Sequence, residues 1–130
     1  MSNSPNTTNI SRYPKQPTPG QLSSSITAAG GILTTTQIPV DVSGEVVPGG
    51  ITAQSNQVLQ NLANELAAFG SDLNRVLHLT IYLTDMQDRA AFNDAYSQFF
   101  KPPFPVRAAV GVQELGRPDM RVEITAIAAH

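Results

Sequence analysis

The chain has 130 residues, of which 41% are hydrophobic and 14% are charged, and its formal net charge is −2 at pH 7. This length is typical of one domain with its own core, and the low charge content favours a subunit that buries surface against copies of itself. The absence of cysteine excludes disulfides, thiolate nucleophiles and cysteine metal sites. Two histidines are too few for a protein-built zinc centre, so we expect no metal. Eight basic residues, spread thinly, predict no nucleic-acid partner.

The beginning of the chain is polar and contains several prolines. It has neither a basic start nor an apolar stretch, which is not typical of a secretory signal. No apolar run approaches the roughly 20 residues that cross a bilayer, so we expect no membrane association and a cytoplasmic protein. Residues 1–20 predict an extended or disordered arm, and residues 21–130 predict a single domain.

Regular structure is expected from about Leu22 onward. The segments Leu22–Thr27 and Ile32–Gln37, separated by a glycine pair, predict a hairpin. Prolines and glycines between residues 39 and 50 predict a loop. Ile51–Phe69 predicts a long helix, because its apolar residues recur at helical spacing, and Gly70 is suited to end it.

The second half of the chain predicts three strands and one helix. Val76–Leu83 alternates as a strand does, and Asp85 can cap a helix that runs to about Phe100. Val106–Gln113 and Arg121–Ala128 predict two closing strands joined by a turn. The order ββ-α-β-α-ββ predicts an α+β domain in which two helices cover one face of a mainly antiparallel sheet.

Arg107 and Glu123 are the main candidates for chemistry. If the valines beside Arg107 face the helices, alternation turns Arg107 to the opposite face, and the same argument turns Arg121 and Glu123 outward. A guanidinium among small neighbours can bind a carboxylate through two hydrogen bonds, and a glutamate can serve as a general base. An alternative stays open at this point: the two residues could be solubilising groups or a cross-strand ion pair.

A hairpin between the last two strands would separate these two groups. Arg107 would lie opposite residue 127 and Glu123 opposite residue 111, roughly 13 Å apart along the strand. We therefore expect that the sheets of several subunits pack together, so that Arg107 of one chain approaches Glu123 of the next. Asn93 is expected to be a solvated helix residue unless it contacts a ligand, and His78 is expected to be structural.

Several segments, in order, resemble the RidA/YjgF family. Pro105–Val110 and Arg121–Ala128 resemble its C-terminal signature, and Thr34–Pro39 resembles its Thr-Ser-Gly-Gln-Ile-Pro segment. Asn93 and the Phe99-Phe100 pair match its second helix. The resemblance covers about residues 20–129, nearly the whole chain.

The resemblance implies a chorismate-mutase-like fold and a homotrimer with a ligand cleft at each subunit interface. It also implies hydrolysis of 2-aminoacrylate or 2-iminobutanoate to a 2-keto acid and ammonia, without a metal or an organic cofactor. Arg107 would bind the substrate carboxylate with help from the backbone N–H of Ala109. Glu123 would position and activate the attacking water, Asn93 would line the pocket, and Thr36 would border the ligand.

The sequence departs from the family pattern at several of these places. Leu22 stands where active deaminases usually carry a tyrosine, Thr35-Thr36 replaces Ser-Gly, and Ala109 replaces a cysteine. The missing phenol keeps two alternatives open: a non-catalytic regulatory trimer that binds keto acids, and a deaminase of another substrate such as 2-aminomuconate. Ribonuclease activity, a third alternative, fits poorly with a net charge of −2 and no basic-aromatic surface.

Overall fold

The computed structural model describes residues 9–130. Within that range the chain forms six strands and two α-helices: β1 Ile10–Tyr13, β2 Ile26–Ala29, β3 Ile32–Gln37, α1 Gly50–Ala68, β4 Val76–Leu83, α2 Arg89–Phe99, β5 Val106–Gly111 and β6 Val122–Ala129. The strands form one sheet in the order β1-β2-β3-β6-β4-β5. All neighbours are antiparallel except β4 and β5, which are parallel. The predicted α+β fold, with two helices on one face of a mainly antiparallel sheet, is confirmed.

The core lies between the helices and the central strands. The apolar stripe of α1 supplies Val58, Leu59, Leu62 and Leu66, all fully buried. Alternation along β4 and β6 directs every second side chain to the same layer, including the fully buried Leu79, Ile81 and Ile124. Burial of each such side chain stabilises the fold by roughly 1.5–3 kcal/mol. Neither helix in residues 9–130 has the length and apolar character of a membrane span.

The helix boundaries follow the sequence signals. The α1 helix ends at Ala68, and Gly70 then adopts the left-handed φ of 77° that the sequence predicts for it. The Asp85 side chain accepts a hydrogen bond from the backbone N–H of Gln87 at 2.9 Å and so caps a single 3-10 turn, after which α2 begins at Arg89. The sequence predicts that Asp85 caps the second helix. It caps the turn before that helix instead, and the N-cap of α2 itself is Asp88, which makes no side-chain cap hydrogen bond.

Regular structure begins earlier than the sequence predicts. Ile10–Tyr13 pairs antiparallel with β2, and the Tyr13 ring lies 4.7 Å from that of Phe69. The expected start near Leu22 is therefore wrong, because a four-residue edge strand among prolines and polar residues carries too weak a periodic signal. The expected first strand also begins later, at Ile26. The remainder of the expected arm, residues 1–8, lies outside the described residues.

The last two strands do not form a hairpin, contrary to the sequence prediction. β6 lies between β3 and β4 and pairs antiparallel with both, whereas among the described residues β5 pairs only with β4 and forms an edge of the sheet. Val122, Ile124, Ala126 and Ala128 of β6 are buried beneath the helices. The hairpin prediction followed adjacency in the chain and could not detect the crossover.

Arg121, which alternation placed on the open face of the sheet, instead anchors the entry to β6. Its Nε and Nη2 atoms donate to the two carboxylate oxygens of Asp88 at 3.1 and 2.9 Å. Its backbone N–H donates to Oε1 of Gln54 at 2.7 Å, and Nε2 of Gln54 donates to the carbonyl of Asp119 at 2.8 Å. The segment before β6 is thereby fixed to both helical regions.

Replacing Asp88 by asparagine should lower the free energy of unfolding by roughly 1–2 kcal/mol, because a charge-assisted pair with two hydrogen bonds is lost at a carboxylate that is only 10% exposed. Urea denaturation measures the change. Glu45→Gln is the matched control: its 3.9 Å pair with Arg117 is exposed, so an effect below about 0.5 kcal/mol is expected. Equal effects of the two substitutions would contradict this account.

Candidate functional site

Arg107 is held on the edge strand β5 by groups from α2. Its Nη2 atom donates to Oδ1 of Asn93 at 2.7 Å. Its guanidinium carbon lies 4.6 Å from the ring centroid of Tyr96 and 5.9 Å from that of Phe92, within the range of cation–π attraction. Stacking and one hydrogen bond thus fix the plane of the guanidinium and leave several of its five donors for a ligand.

The face occupied by Arg107 is opposite to the predicted one. Arg107 pairs in register with Leu79, which is fully buried beneath the helices, so Arg107 also lies on the helix side. Val106 and Val110 point the other way and are 65% and 40% exposed. The prediction assumed that valines face the helices. It failed because the aromatic rings of α2 accommodate the guanidinium, while the valines belong to an apolar open face.

Tyr96 is a member of this cluster that the sequence did not identify as part of a site. The sequence predicts only that it packs on the inner side of the helix, and it is buried there. Burial raises the pKa of the Tyr96 phenol, and the positive charge of Arg107 opposes that shift. Its hydroxyl has no hydrogen-bond partner among the described residues. No sequence signal reports a contact between a helix residue and a strand eleven positions later.

Glu123 lies on the open face of β6, as alternation predicts. Its neighbours Val122 and Ile124 are fully buried on the other face. Partial burial raises the pKa of the Glu123 carboxyl above the ordinary range, and no hydrogen bond or nearby charge among residues 9–130 contributes to the shift. A carboxylate without a hydrogen-bonding partner retains its capacity to accept a proton from water.

Glu123 lines an open cavity of about 830 Å³. Thr36 of β3 and Thr125 of β6 lie beside it, with their hydroxyl oxygens 3.0 Å apart. The wall is formed by the segment that includes Ser23, Ser24 and Leu22, and the Leu22 side chain is almost completely exposed. These serines form a loop that borders the cavity.

One chain does not bring Arg107 and Glu123 together. β4 lies between their strands, Arg107 pairs with Leu79, and Glu123 pairs with Tyr82 three residues further along. Strand spacing and rise place their Cα atoms roughly 14 Å apart, with the side chains on opposite faces. A cross-strand ion pair is therefore excluded, and a small molecule cannot contact both groups within one subunit.

The open face of the sheet carries several exposed apolar side chains. Its exposed hydrophobic side chains include those of Ile10, Ile32, Val106, Val110 and Ile127, each more than a third exposed. His78 shares this face, opposite Ile127, and is partly buried. Apolar patches of this kind are typical of protein–protein contacts.

The amino-acid sequence matches a family model and several known proteins. Residues 14–130 match a family model described as endoribonuclease L-PSP. A RutC family protein of Pyrococcus horikoshii is 42% identical over 110 residues, which cover 84% of this chain and 86% of that protein. The 2-iminobutanoate/2-iminopropanoate deaminase of Capra hircus is 43% identical over 88 residues, which cover 68% of this chain and 64% of that protein.

Solved structures give the same result for the fold. The crystal structure of yeast Mmf1 matches with a TM-score of 0.84 at 28% identity, covering 94% of this chain and 99% of that chain. The crystal structure of RidA from an Antarctic Psychrobacter matches with a TM-score of 0.80 at 30% identity, covering 89% and 94% of the two chains.

Proposed function

Because this chain belongs to the RidA/YjgF family, among whose members are proteins named 2-iminobutanoate/2-iminopropanoate deaminase, we propose that it hydrolyses small 2-imino acids to 2-keto acids and ammonia. The observation that carries the proposal is the guanidinium of Arg107. It is positioned by Asn93 and two aromatic rings and keeps free donors at the edge of the sheet. Such a group binds a carboxylate through two parallel hydrogen bonds. Ala109, two residues along on the same side of β5, would add a backbone N–H.

The proposed chemistry requires one base and no cofactor. An iminium carbon is already electrophilic, so attack by water needs only orientation and proton transfer. Glu123 takes a proton as the water oxygen bonds to the iminium carbon. The same carboxyl returns that proton to nitrogen. As the C–N bond breaks and the C=O bond forms, the carboxylate takes the remaining hydroxyl proton and passes it to solvent, which gives the keto acid and ammonia. A pKa raised by burial makes this carboxyl a better proton acceptor.

A complete site requires a second subunit, and we propose a homotrimer with one cleft at each interface. In each cleft, Arg107 and Asn93 of one subunit would approach Glu123 and Thr36 of the next. Two features support this arrangement: the separation of the two charged groups within one chain, and the exposed apolar residues of the open face. Closed rotational symmetry would repeat the same contact at every interface.

Leu22 favours a second candidate function, a trimer that binds keto acids without turnover. Its exposed side chain borders the cavity at the place where the resemblance puts a phenol. If that phenol is indispensable, 2-oxobutanoate binds while imine hydrolysis does not exceed the uncatalysed rate. Calorimetry with 2-oxobutanoate, together with ammonia release from freshly generated 2-iminobutanoate, distinguishes the two functions.

Subunit complementation tests the shared cleft. We expect Arg107→Ala and Glu123→Gln each to retain on the order of 1% of wild-type activity or less, because each removes one half of every site. When equal amounts of the two are unfolded together and refolded, random assembly of a symmetric ring should restore on the order of a quarter of the clefts. Turnover of 2-iminobutanoate measures the recovery.

Each variant refolded alone is the control for that experiment. Recovery only in the mixture supports a cleft built by two subunits. If the mixture stays as inactive as its components while refolded wild type regains activity, the site lies within one chain and the proposed assembly is wrong.

A further inference from the structure

The hydroxyl of Tyr96 is a buried polar group that the proposed chemistry does not use. The Tyr96 side chain is only 6% exposed, and its hydroxyl oxygen is closed to solvent and has no hydrogen-bond partner among residues 9–130. A buried hydroxyl without a partner destabilises a folded chain, and a phenylalanine here would avoid that cost. The hydroxyl therefore points to a partner that arrives with a ligand or with a second subunit.

Three aromatic rings pack around Tyr96 and offer it no hydrogen bond. Tyr96 stacks on Phe100, with ring centroids 4.6 Å apart and ring planes inclined by 15°. The centroids of Phe104 and Phe92 lie 6.1 and 6.3 Å from that of Tyr96. Because none of these three side chains has a polar atom, the polar groups of the same cluster are the candidates for a partner.

The guanidinium of Arg107 is such a group. Its carbon lies 4.6 Å from the centroid of the Tyr96 ring, and its Nη2 atom donates to Asn93. Burial raises the pKa of the Tyr96 phenol, whereas the nearby positive charge of Arg107 acts to lower it. Of the five N–H groups of a guanidinium, Asn93 engages one and a carboxylate takes two, which leaves a donor for the phenol oxygen.

We propose that Tyr96 is a positioning residue for Arg107: when a carboxylate binds the guanidinium, a remaining N–H group donates to the Tyr96 hydroxyl oxygen. The inference rests on the proposed function, which supplies the carboxylate. In the free chain the guanidinium stacks over the ring, and no hydrogen bond to the hydroxyl forms. A carboxylate held by two hydrogen bonds draws the guanidinium toward the ligand, and this shift brings an N–H group to the phenol oxygen. The bound state thereby gains a hydrogen bond that the free state lacks, which strengthens binding.

Tyr96→Phe tests this role because it removes one oxygen atom and keeps the ring. By calorimetry on the full-length protein, we expect 2-oxobutanoate to bind on the order of tenfold more weakly to this variant than to wild type. KM for 2-iminobutanoate should rise by a similar factor while kcat stays within about twofold. This split is expected because the guanidinium holds the carboxylate equally in the ground state and in the transition state.

The stability of the ligand-free protein should change in the opposite direction. The substitution removes a buried hydroxyl that has no partner in the free chain, so Tm should rise by roughly 3 °C. A hydroxyl that only supports the fold would instead give a lower Tm and an unchanged affinity for 2-oxobutanoate. Either of those two results would overturn the proposal.

Tyr13→Phe is the matched control, since it removes the same atom from another phenol. Tyr13 lies on β1, at the opposite edge of the sheet from Arg107, and its ring lies 4.7 Å from that of Phe69. The affinity for 2-oxobutanoate should therefore keep its wild-type value in this variant. An equal loss of affinity in Tyr13→Phe and Tyr96→Phe would assign the effect to general damage and reject the positioning role.

The remaining outcomes separate this inference from the function on which it rests. If wild type hydrolyses 2-iminobutanoate and Tyr96→Phe binds 2-oxobutanoate equally well, the positioning role is wrong and the proposed function stands. If Tyr96→Phe dissociates on dilution while its assembled form keeps the wild-type affinity, the partner of the hydroxyl belongs to a second subunit, which also refutes the role. If wild type neither binds 2-oxobutanoate nor hydrolyses the imine, the carboxylate site itself is wrong, and the role of Tyr96 is rejected with it.

Discussion

Replacing Arg107 by alanine should lower kcat/KM for 2-iminobutanoate by at least about 100-fold, because the carboxylate loses a charged, two-pronged anchor. The cluster around Arg107 makes this expectation specific. Asn93 and the rings of Phe92 and Tyr96 hold the guanidinium before a ligand arrives, so little ordering is left for the binding step. The rate of ammonia release from imine generated in situ measures the effect.

Two further variants separate the shape of the guanidinium from its charge and from general damage. Arg107→Lys keeps the charge but not the planar fork, and we expect an intermediate loss of roughly tenfold. Arg75→Ala removes an exposed arginine whose hydrogen bonds go to the carbonyls of Ala129 and His130 and not to the Arg107 cluster, and it should retain wild-type activity. Turnover by Arg107→Ala at the wild-type rate would show that the carboxylate binds elsewhere.

Most elements of the fold could be predicted because their signals are local. The α1 helix repeats its apolar residues at helical spacing, and β4 alternates over eight residues. The pairing of β5 could not be predicted in this way, because a parallel edge strand and a hairpin arm have the same local pattern. The two arrangements differ in which strand pairs with β6. Only the folded structure shows that β6 pairs with β3 and with β4, which leaves β5 at the edge of the sheet.

The sequence supplies candidate residues for the site but not their geometry. Arg107, Glu123 and Asn93 are its candidates; the structure brings Asn93 to Arg107 and places Arg107 on the face opposite to the predicted one. The error came from assigning the valines of β5 to the core, a choice that depends on whether the open face is covered by another surface.

The exposed apolar side chains of the open face explain why the face of Arg107 was assigned wrongly. On an uncovered sheet surface, exposed valine and isoleucine are unfavourable, and the sequence rule that sends them to the helices is sound for a monomer. Val106 and Ile127 violate the rule in one chain and would satisfy it in an assembly that covers them. The same assembly would bring the helix-side edge of β5 to the cavity beside Glu123, so the apolar face and the division of the site between subunits have a common explanation.

Replacing Glu123 by glutamine should lower kcat for 2-iminobutanoate by at least about 100-fold, since general base catalysis typically contributes that much. The pH profile distinguishes the base from a merely positioning group. In wild type, kcat/KM should rise with pH through a midpoint above the ordinary pKa of a glutamate, because burial raises the pKa of Glu123. In Glu123→Gln this acidic limb should be absent from the residual activity.

Stability provides the control for the Glu123 variant. A carboxyl whose pKa is raised on folding holds its proton more firmly in the folded than in the unfolded state, so stability falls as pH rises through the folded pKa. Glutamine removes this unfavourable contribution to the free energy of unfolding. The Glu123→Gln variant should therefore be at least as stable as wild type at neutral pH. Inactivity in a protein of undiminished stability assigns the loss to chemistry. An unchanged acidic limb in Glu123→Gln would show that another group accepts the proton.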